Sequence, residues 1–181
     1  ELALKAIQTT YQVDDRHNAI THSFLQSCVE ILRDAPVTLL REHYRCHPKI
    51  IEFCNQRFYN GELVAMTTDE GEKDVLQVIR TVPGNHARGH FNQREIDVIT
   101  QEVLPECAES GRIGIITPYR AQAEAINKTV GKDIASTVHK YQGRECDTII
   151  MSMVDNYPTE FSDDANLLNV AISRAKTKLC L

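Results

Sequence analysis

The chain has 181 residues, with 20 Lys or Arg against 25 Asp or Glu, and a formal net charge of −5 with histidine neutral. That length suits one domain with a sizeable core, or one domain plus a fragment, at about 100–200 residues per domain; 42% hydrophobic and 25% charged residues is the mix of a soluble globular protein. The acidic balance argues against a polybasic membrane binder or a histone-like coat, although a nucleic-acid groove depends on local charge and stays open; no stretch approaches the ~18 consecutive apolar residues of a membrane span. Residues 1–21 are polar and weakly periodic, with Asp14-Asp15-Arg16-His17-Asn18 reading as a loop. From Ser23, the residues Phe24, Leu25, Cys28, Ile31 and Leu32 recur at helical spacing as far as Asp34-Ala35-Pro36. The apolar run Val37-Thr38-Leu39-Leu40 predicts a buried strand.

Pro48 suits the first turn of a helix, and Ile50, Ile51, Phe53, Cys54 and Phe58 give that helix an apolar face before Asn60-Gly61 ends it. Residues 65–73 read as charged turns, residues 75–79 as a strand, and Pro83, Gly84 and Gly89 mark a loop. Asn92 to Leu104 is predicted helical. A regular rhythm follows: strand 113–117, helix 121–130, short strand 136–138, apolar strand 148–154, helix 167–175 and last strand 178–181. Strands apolar on both faces and alternating with helices predict a doubly wound α/β fold around a parallel sheet.

In such sheets, ligands sit at the carboxyl ends of strands. The segments following the strands are polar and carry arginine: Glu42-His43-Tyr44-Arg45-Cys46-His47-Pro48, Pro118-Tyr119-Arg120-Ala121-Gln122 and His139 to Glu145, with Asn169 to Lys176 read as a helix before the last strand. Arginine matches phosphate geometry, so these loops suggest a phosphate or nucleotide surface. Residues 41–60 hold four Lys or Arg against two Glu, a locally basic stretch. The run 155–164, with Asp155, Glu160, Asp163 and Asp164, reads as acidic solvated surface that would repel a phosphate backbone.

Four strings in order, "LLREHYRCHPKIIEFCNQRFYNGEL", "IGIITPYRAQ", "STVHKYQGRECDTIIMSMV" and "LLNVAISRAKTKLCL", resemble the motifs of superfamily 1 helicases over about residues 37–181. The likeness is to the 5′-to-3′ branch that includes the RNA-surveillance and replication-processing helicases. It implies a RecA-like domain of the P-loop NTPase type, the second motor domain of such a protein, with residues 1–36 as a junction or the tail of the preceding domain. It also implies an ATP-dependent activity with Mg²⁺, exerted on single-stranded DNA or RNA, in a cytoplasmic or nuclear protein that is neither secreted nor in a membrane.

The resemblance assigns roles residue by residue. Arg174 matches the arginine that reaches the γ-phosphate, where a fixed guanidinium stabilises charge on the transferring group. Gly143 and Glu145 match positions lining the nucleotide cleft, the glycine allowing close backbone approach. Gln122, Tyr119 and Arg120 match the motif that helps hold the nucleotide, and Arg45 a second phosphate-side arginine. Thr137 and His139 match contacts to the single-strand backbone; Asn92 and Glu95 resemble a weaker signature near the nucleotide. His43 and Cys46 stand where many members have Gln and Met, and Ile172-Ser173 replaces a common Leu-Thr.

A phosphate-binding G-x-x-x-x-G-K-[ST] loop is missing: Gly131-Lys132 is followed by Asp133, and residue 126 is Ile. The phosphate loop and most Mg²⁺ ligands are therefore expected from an N-terminal motor domain of the same protein. The first residue, Glu1, and the apolar Leu179-Cys180-Leu181 fit a piece of a longer chain. The six cysteines include no C-x-x-C pair and read as free thiols, and the pairs His43/His47 and His86/His90 lack matching ligands, so no metal site is expected. Tyr44, Phe53, Phe58 and Tyr59 are aromatic candidates for base stacking, with the Phe residues better placed for core packing. The alternative function is a non-motor module that keeps this fold and only binds nucleic acid or protein.

Overall fold

The computed structural model describes residues 2–84, 86–141, 143–159 and 164–181. They form two compact units, one up to Leu40 and one from Arg41 onward. The first holds helix α1 (Leu2–Tyr11), a 3₁₀ turn (Asp15–His17) and helix α2 (Phe24–Ile31). Helix α2 starts where the sequence places it because Ser23 and Gln26 form a capping box, each side chain bonding the other's backbone N–H. Neither α1 nor α2 buries a residue. Residues 37–40 correct the sequence reading: they form no strand, and Val37, Leu39 and Leu40 are exposed. An apolar run signals a wish to be covered, but a strand also needs a ladder partner, and hydrogen-bonded pairing begins only at Glu42.

The second unit opens with strand β1 (Glu42–His43), helix α3 (Pro48–Phe58) and strand β2 (Val64–Ala65), β1 and β2 pairing in parallel. Strand β3 (Leu76–Gln77) follows. Helix α4 (Gln93–Val98) runs through a π turn (Ile99–Val103) into the short helix α5 (Leu104–Glu106), and Pro105 there has no N–H to donate to a helical ladder. Then come strand β4 (Ile113–Thr117), helix α6 (Arg120–Val130), strand β5 (Ala135–Thr137) and a 3₁₀ turn (His139–Tyr141). Strand β6 (Cys146–Met151), helix α7 (Ala165–Ile172) and strand β7 (Ala175–Cys180) complete the unit. Strands β3 to β7 make one five-stranded sheet in the order β3-β7-β6-β4-β5, with every pairing parallel.

Period-two alternation sends neighbouring side chains to opposite faces, and each face is covered. Ile116, Ile149 and Leu179 pack with Ile50 and Cys54 of α3 and Ile172 of α7. Ile115, Ile150 and Cys180 pack with Ile96 of α4 and Ala123 and Ile126 of α6. Phe53 departs from the predicted apolar face of α3: it is half exposed and meets Phe58 edge-on at 6.1 Å between ring centroids. Gly114 in β4 is required by space, since a Cβ there would fall on the Tyr141 hydroxyl. Among the described residues, no helix is long and apolar enough to cross a membrane.

Candidate functional site

The parallel sheet separates the candidate residues by edge. At the start of β6 and β7, four cationic or anionic side chains from three distant segments converge. Arg45 follows β1, Glu145 precedes β6, and Arg174 and Lys176 flank the first residue of β7. Arg45 Nε lies 2.8 Å from Glu145 Oε2, and Lys176 Nζ 2.6 Å from Glu145 Oε1. The turn at Ser173 is fastened to the Arg45 loop: its carbonyl accepts from Arg45 Nη1 and from Cys46 Sγ, each at 3.3 Å. The His47 N–H donates to the Lys176 carbonyl at 2.7 Å, and the Cys146 N–H to the Arg174 carbonyl at 3.1 Å.

Arg174 corrects the sequence reading, which puts it on a helix. Helix α7 ends at Ile172, Ser173 caps it, and Arg174 lies in the turn before β7. Ala171 and Ala175 have helical spacing, yet Ala175 belongs to the sheet and pairs with Cys146. Arg174 is half-buried, and its Nε is buried with no hydrogen-bond partner among the described residues. Burial, followed by the Arg45 charge, pulls its pKa down, though a guanidinium stays protonated regardless. The Lys176 hydrogen bond holds the Glu145 carboxyl below its usual range, and Glu145 in turn raises Lys176. Burial pushes the Cys46 thiol up to about 12 and lowers His43, whose Nε2 accepts from the Cys46 N–H at 3.0 Å.

The carboxyl edge of the sheet holds the other candidates apart from Gly143, which lies just before Glu145, so the candidates expected at the cofactor do not share one surface. Gln122 on α6 is fully buried. Its Oε1 accepts from the Asn92 N–H at 2.9 Å, and its Nε2 donates to Ser152 Oγ at 2.9 Å and to the Asn92 carbonyl at 3.3 Å. Ser152 donates onward to Glu95 Oε2 at 2.6 Å, and the Glu95 carboxylate also takes the Val154 N–H at 2.9 Å and Asn92 Nδ2 at 3.1 Å. Val154 sits at φ 69°, an unusual conformation for a β-branched residue, with its N–H held by that carboxylate. The Gln122 amide and the Glu95 carboxylate thus tie α4, α6 and the chain leaving β6 together.

Tyr119 donates its hydroxyl to Asp155 Oδ2 at 2.7 Å and stacks on His90 at 4.2 Å between centroids. The Asp155 bond raises the Tyr119 pKa. Arg120 is exposed and pairs with Glu124 one helical turn on, at 2.6 Å. Thr137 ends β5 opposite Thr117, and the exposed His139 opens the 3₁₀ turn beyond it. Gly143 adopts φ 83°, and a Cβ there would meet nothing within 4 Å, so backbone conformation and not close approach calls for glycine. Gln142 of the same motif lies outside the described residues.

The acidic run is only partly the solvated surface read from sequence. Asp155 holds Tyr119, and Asp164 caps α7 by accepting from the Asn166 and Leu167 N–H groups; Glu160 and Asp163 lie outside the described residues. Sequence spacing also misses a grouping of His47 with Asp69 and Glu72. His47 caps α3 through Nδ1, which accepts from the Lys49 N–H at 3.1 Å, so its ring proton sits on Nε2. That nitrogen faces Glu72 at 3.3 Å and Asp69 at 3.4 Å, and Lys49 Nζ pairs with Asp69 at 3.0 Å. A protonated Nε2 is a donor and not a metal ligand, so the group works as a clasp.

Comparison with known proteins agrees with this architecture. Residues 20–181 match the AAA domain family. The chain is 30% identical over 165 residues to the 5′-3′ DNA helicase ZGRF1 of Mus musculus, covering 79% of this chain and 9% of that protein. It is also 30% identical to an uncharacterized ATP-dependent helicase of Methanocaldococcus jannaschii, covering 80% of this chain and 26% of the other, and 30% identical to Helicase sen1 of Schizosaccharomyces pombe, covering 79% and 10%. The chain therefore spans about a quarter or less of these relatives. The C-terminal domain of a possible DNA helicase from Lactobacillus plantarum shares the fold at a TM-score of 0.50 and 18% identity, over 76% of this chain and 85% of that one. The chain belongs to the AAA domain family and is a superfamily 1 helicase-type domain with the RecA-like α/β fold.

Proposed function

We propose that residues 37–181 act as the second motor domain of an ATP-dependent 5′-to-3′ nucleic-acid helicase, with residues 1–36 as the junction to, or tail of, a preceding motor domain. The observation that carries this reading is the convergence of Arg45, Glu145 and Arg174 on one sheet edge, with the Arg174 Nε buried and unpartnered. A buried donor without an acceptor is costly in a finished structure, and a phosphate oxygen would satisfy it. Arg174 would stabilise negative charge on a transferring phosphoryl group, and Arg45 would hold the same phosphates from the other side of Ser173. Glu145 and the Gly143 turn would line the nucleotide alongside them.

ATP with Mg²⁺ would supply the phosphoryl group whose transfer to water drives the motor. The cation-rich edge suits phosphates; the Glu145 carboxylate there is already spent on two cations, so Mg²⁺ ligands would come mainly from the preceding domain. Thr137 and His139, on the opposite edge, would face a single strand of DNA or RNA, and Tyr119 and Arg120 lie on that same edge. Gln122 and Glu95 would support this surface from within. Purified alone, the 181 residues should hydrolyse ATP no faster than background, with or without single-stranded DNA or RNA, in a phosphate-release assay. Robust turnover by the chain alone would contradict the assignment of the phosphate loop to another domain.

A further inference from the structure

The sequence marks Lys176 only as a basic position after Arg174. In the structure it shares the Glu145 carboxylate with Arg45, each cation taking a different oxygen. The carboxylate therefore stands between two cations in the way two oxygens of a phosphate could. All three side chains line one open groove together with Glu42, His43 and Tyr44. They are between 37% and 39% exposed, so solvent keeps the bridge weak and exchangeable. The other acid of the groove, Glu42, is already bonded to the Tyr44 hydroxyl, and the His43 Nε2 is taken by the Cys46 N–H. The Lys176 backbone is fixed in β7 and by the bond from the His47 N–H, so its side chain stays at this groove.

We propose that Lys176 is a third phosphate-contacting cation of this edge, and that Glu145 holds Lys176 and Arg45 in reserve until a polyphosphate displaces the carboxylate. The proposal rests on the nucleotide reading above and adds a regulatory role for Glu145 within it. An arriving polyanion replaces one carboxylate by several phosphate oxygens, and the freed carboxylate turns to solvent. Glu145 is ionised at neutral pH as any glutamate is, and the Lys176 hydrogen bond moves its protonation, and the release of both cations, below the usual carboxylate range.

The test titrates the 181-residue chain with inorganic tripolyphosphate, which has no sugar or base, by calorimetry at low salt. Glu145→Gln should bind it about fivefold more tightly than the unaltered chain, the scale of an exposed ion pair released. Lys176→Met should bind more weakly and should remove part of the gain in the double variant, where Arg45 alone is released, whereas Lys176→Arg should keep wild-type affinity. Glu145→Gln that binds no better, or Lys176→Met that binds as well as the unaltered chain, overturns the proposal. Arg45→Ala and Arg174→Ala separate this from the reading beneath it. If both leave tripolyphosphate binding unchanged, the nucleotide assignment itself falls; if both weaken it while Glu145→Gln is inert, only the reserve role does. Circular dichroism and thermal melts confirm that each variant is folded.

Discussion

Arg174 and Gln122 are both polar and withdrawn from solvent, and they differ in what they have left to bond. The Gln122 amide is satisfied at both ends by Asn92 and Ser152, inside the fold. Removing it in Gln122→Ala strands those partners without water, and should cost about 1–3 kcal/mol in urea unfolding. A loss within about 0.5 kcal/mol, the range of an ordinary surface change, would show that the network is dispensable. Arg174 has a buried Nε still without an acceptor. Sequence pattern groups these two residues because both lie beside strands in polar segments. It cannot see that one faces inward and the other an open edge, since that depends on which distant segments meet them. Lys176, Asp69 and Glu72 are harder still: these partners lie 22 to 31 residues away, and nothing in their spacing predicts the meeting.

At the scale of elements, periodicity carries most of the information. Strand β4 runs over the predicted residues because four of its five residues are buried, with Ile115 and Ile116 packing on opposite faces. Helices α2, α3 and α6 begin within a residue of their predicted starts, because Ser23, Pro48 and the Tyr119-Arg120 step set them. The end of α7 is where period fails, since Ala171, Ile172 and Ala175 fit a helix and a helix-to-strand turn equally well. Gly114 is invisible to period altogether; its reason is the Tyr141 hydroxyl, which also bonds Cys146 Sγ at 3.1 Å. Gly114→Ala must push Tyr141 off the sheet, and should lower stability by about 1–3 kcal/mol. Pairing it with Tyr141→Ala should restore part of the loss, because the ring clash is then gone and the Cys146 Sγ contact at 3.0 Å is the tight one left. A double variant no better than additive would contradict that steric account.

For the whole second unit, five of the six cysteines are buried and one, Cys28 in the first unit, is half-buried. Burial raises Cys46 and Cys180 to about 12 and Cys54 to about 11, from an ordinary thiol value of 9.0. A group whose folded pKa is raised contributes its full stability below the unfolded value and loses it as pH climbs toward the folded one. Stability should therefore hold to about pH 9 and fall above it, by up to about 1.4 kcal/mol per pH unit per thiol, until about pH 11–12. Urea midpoints across this range check it, and a profile flat above pH 9 would contradict the burial of these thiols. At neutral pH, Cys28 should react first with a thiol reagent.

The net charge of −5 gives no hint that the sheet presents cations at one edge, because Glu145 and the clasp around His47 offset them locally. Whole-molecule function would then depend on a phosphate loop supplied against that edge. The direct measurement is nucleic-acid-stimulated ATP hydrolysis by a polypeptide joining this domain to the preceding motor domain proposed for it, with and without Arg174→Ala. A phosphate-contacting role for Arg174 requires that turnover fall roughly a thousandfold or more while single-strand binding and the folded state survive. Near-normal turnover in that variant would contradict it.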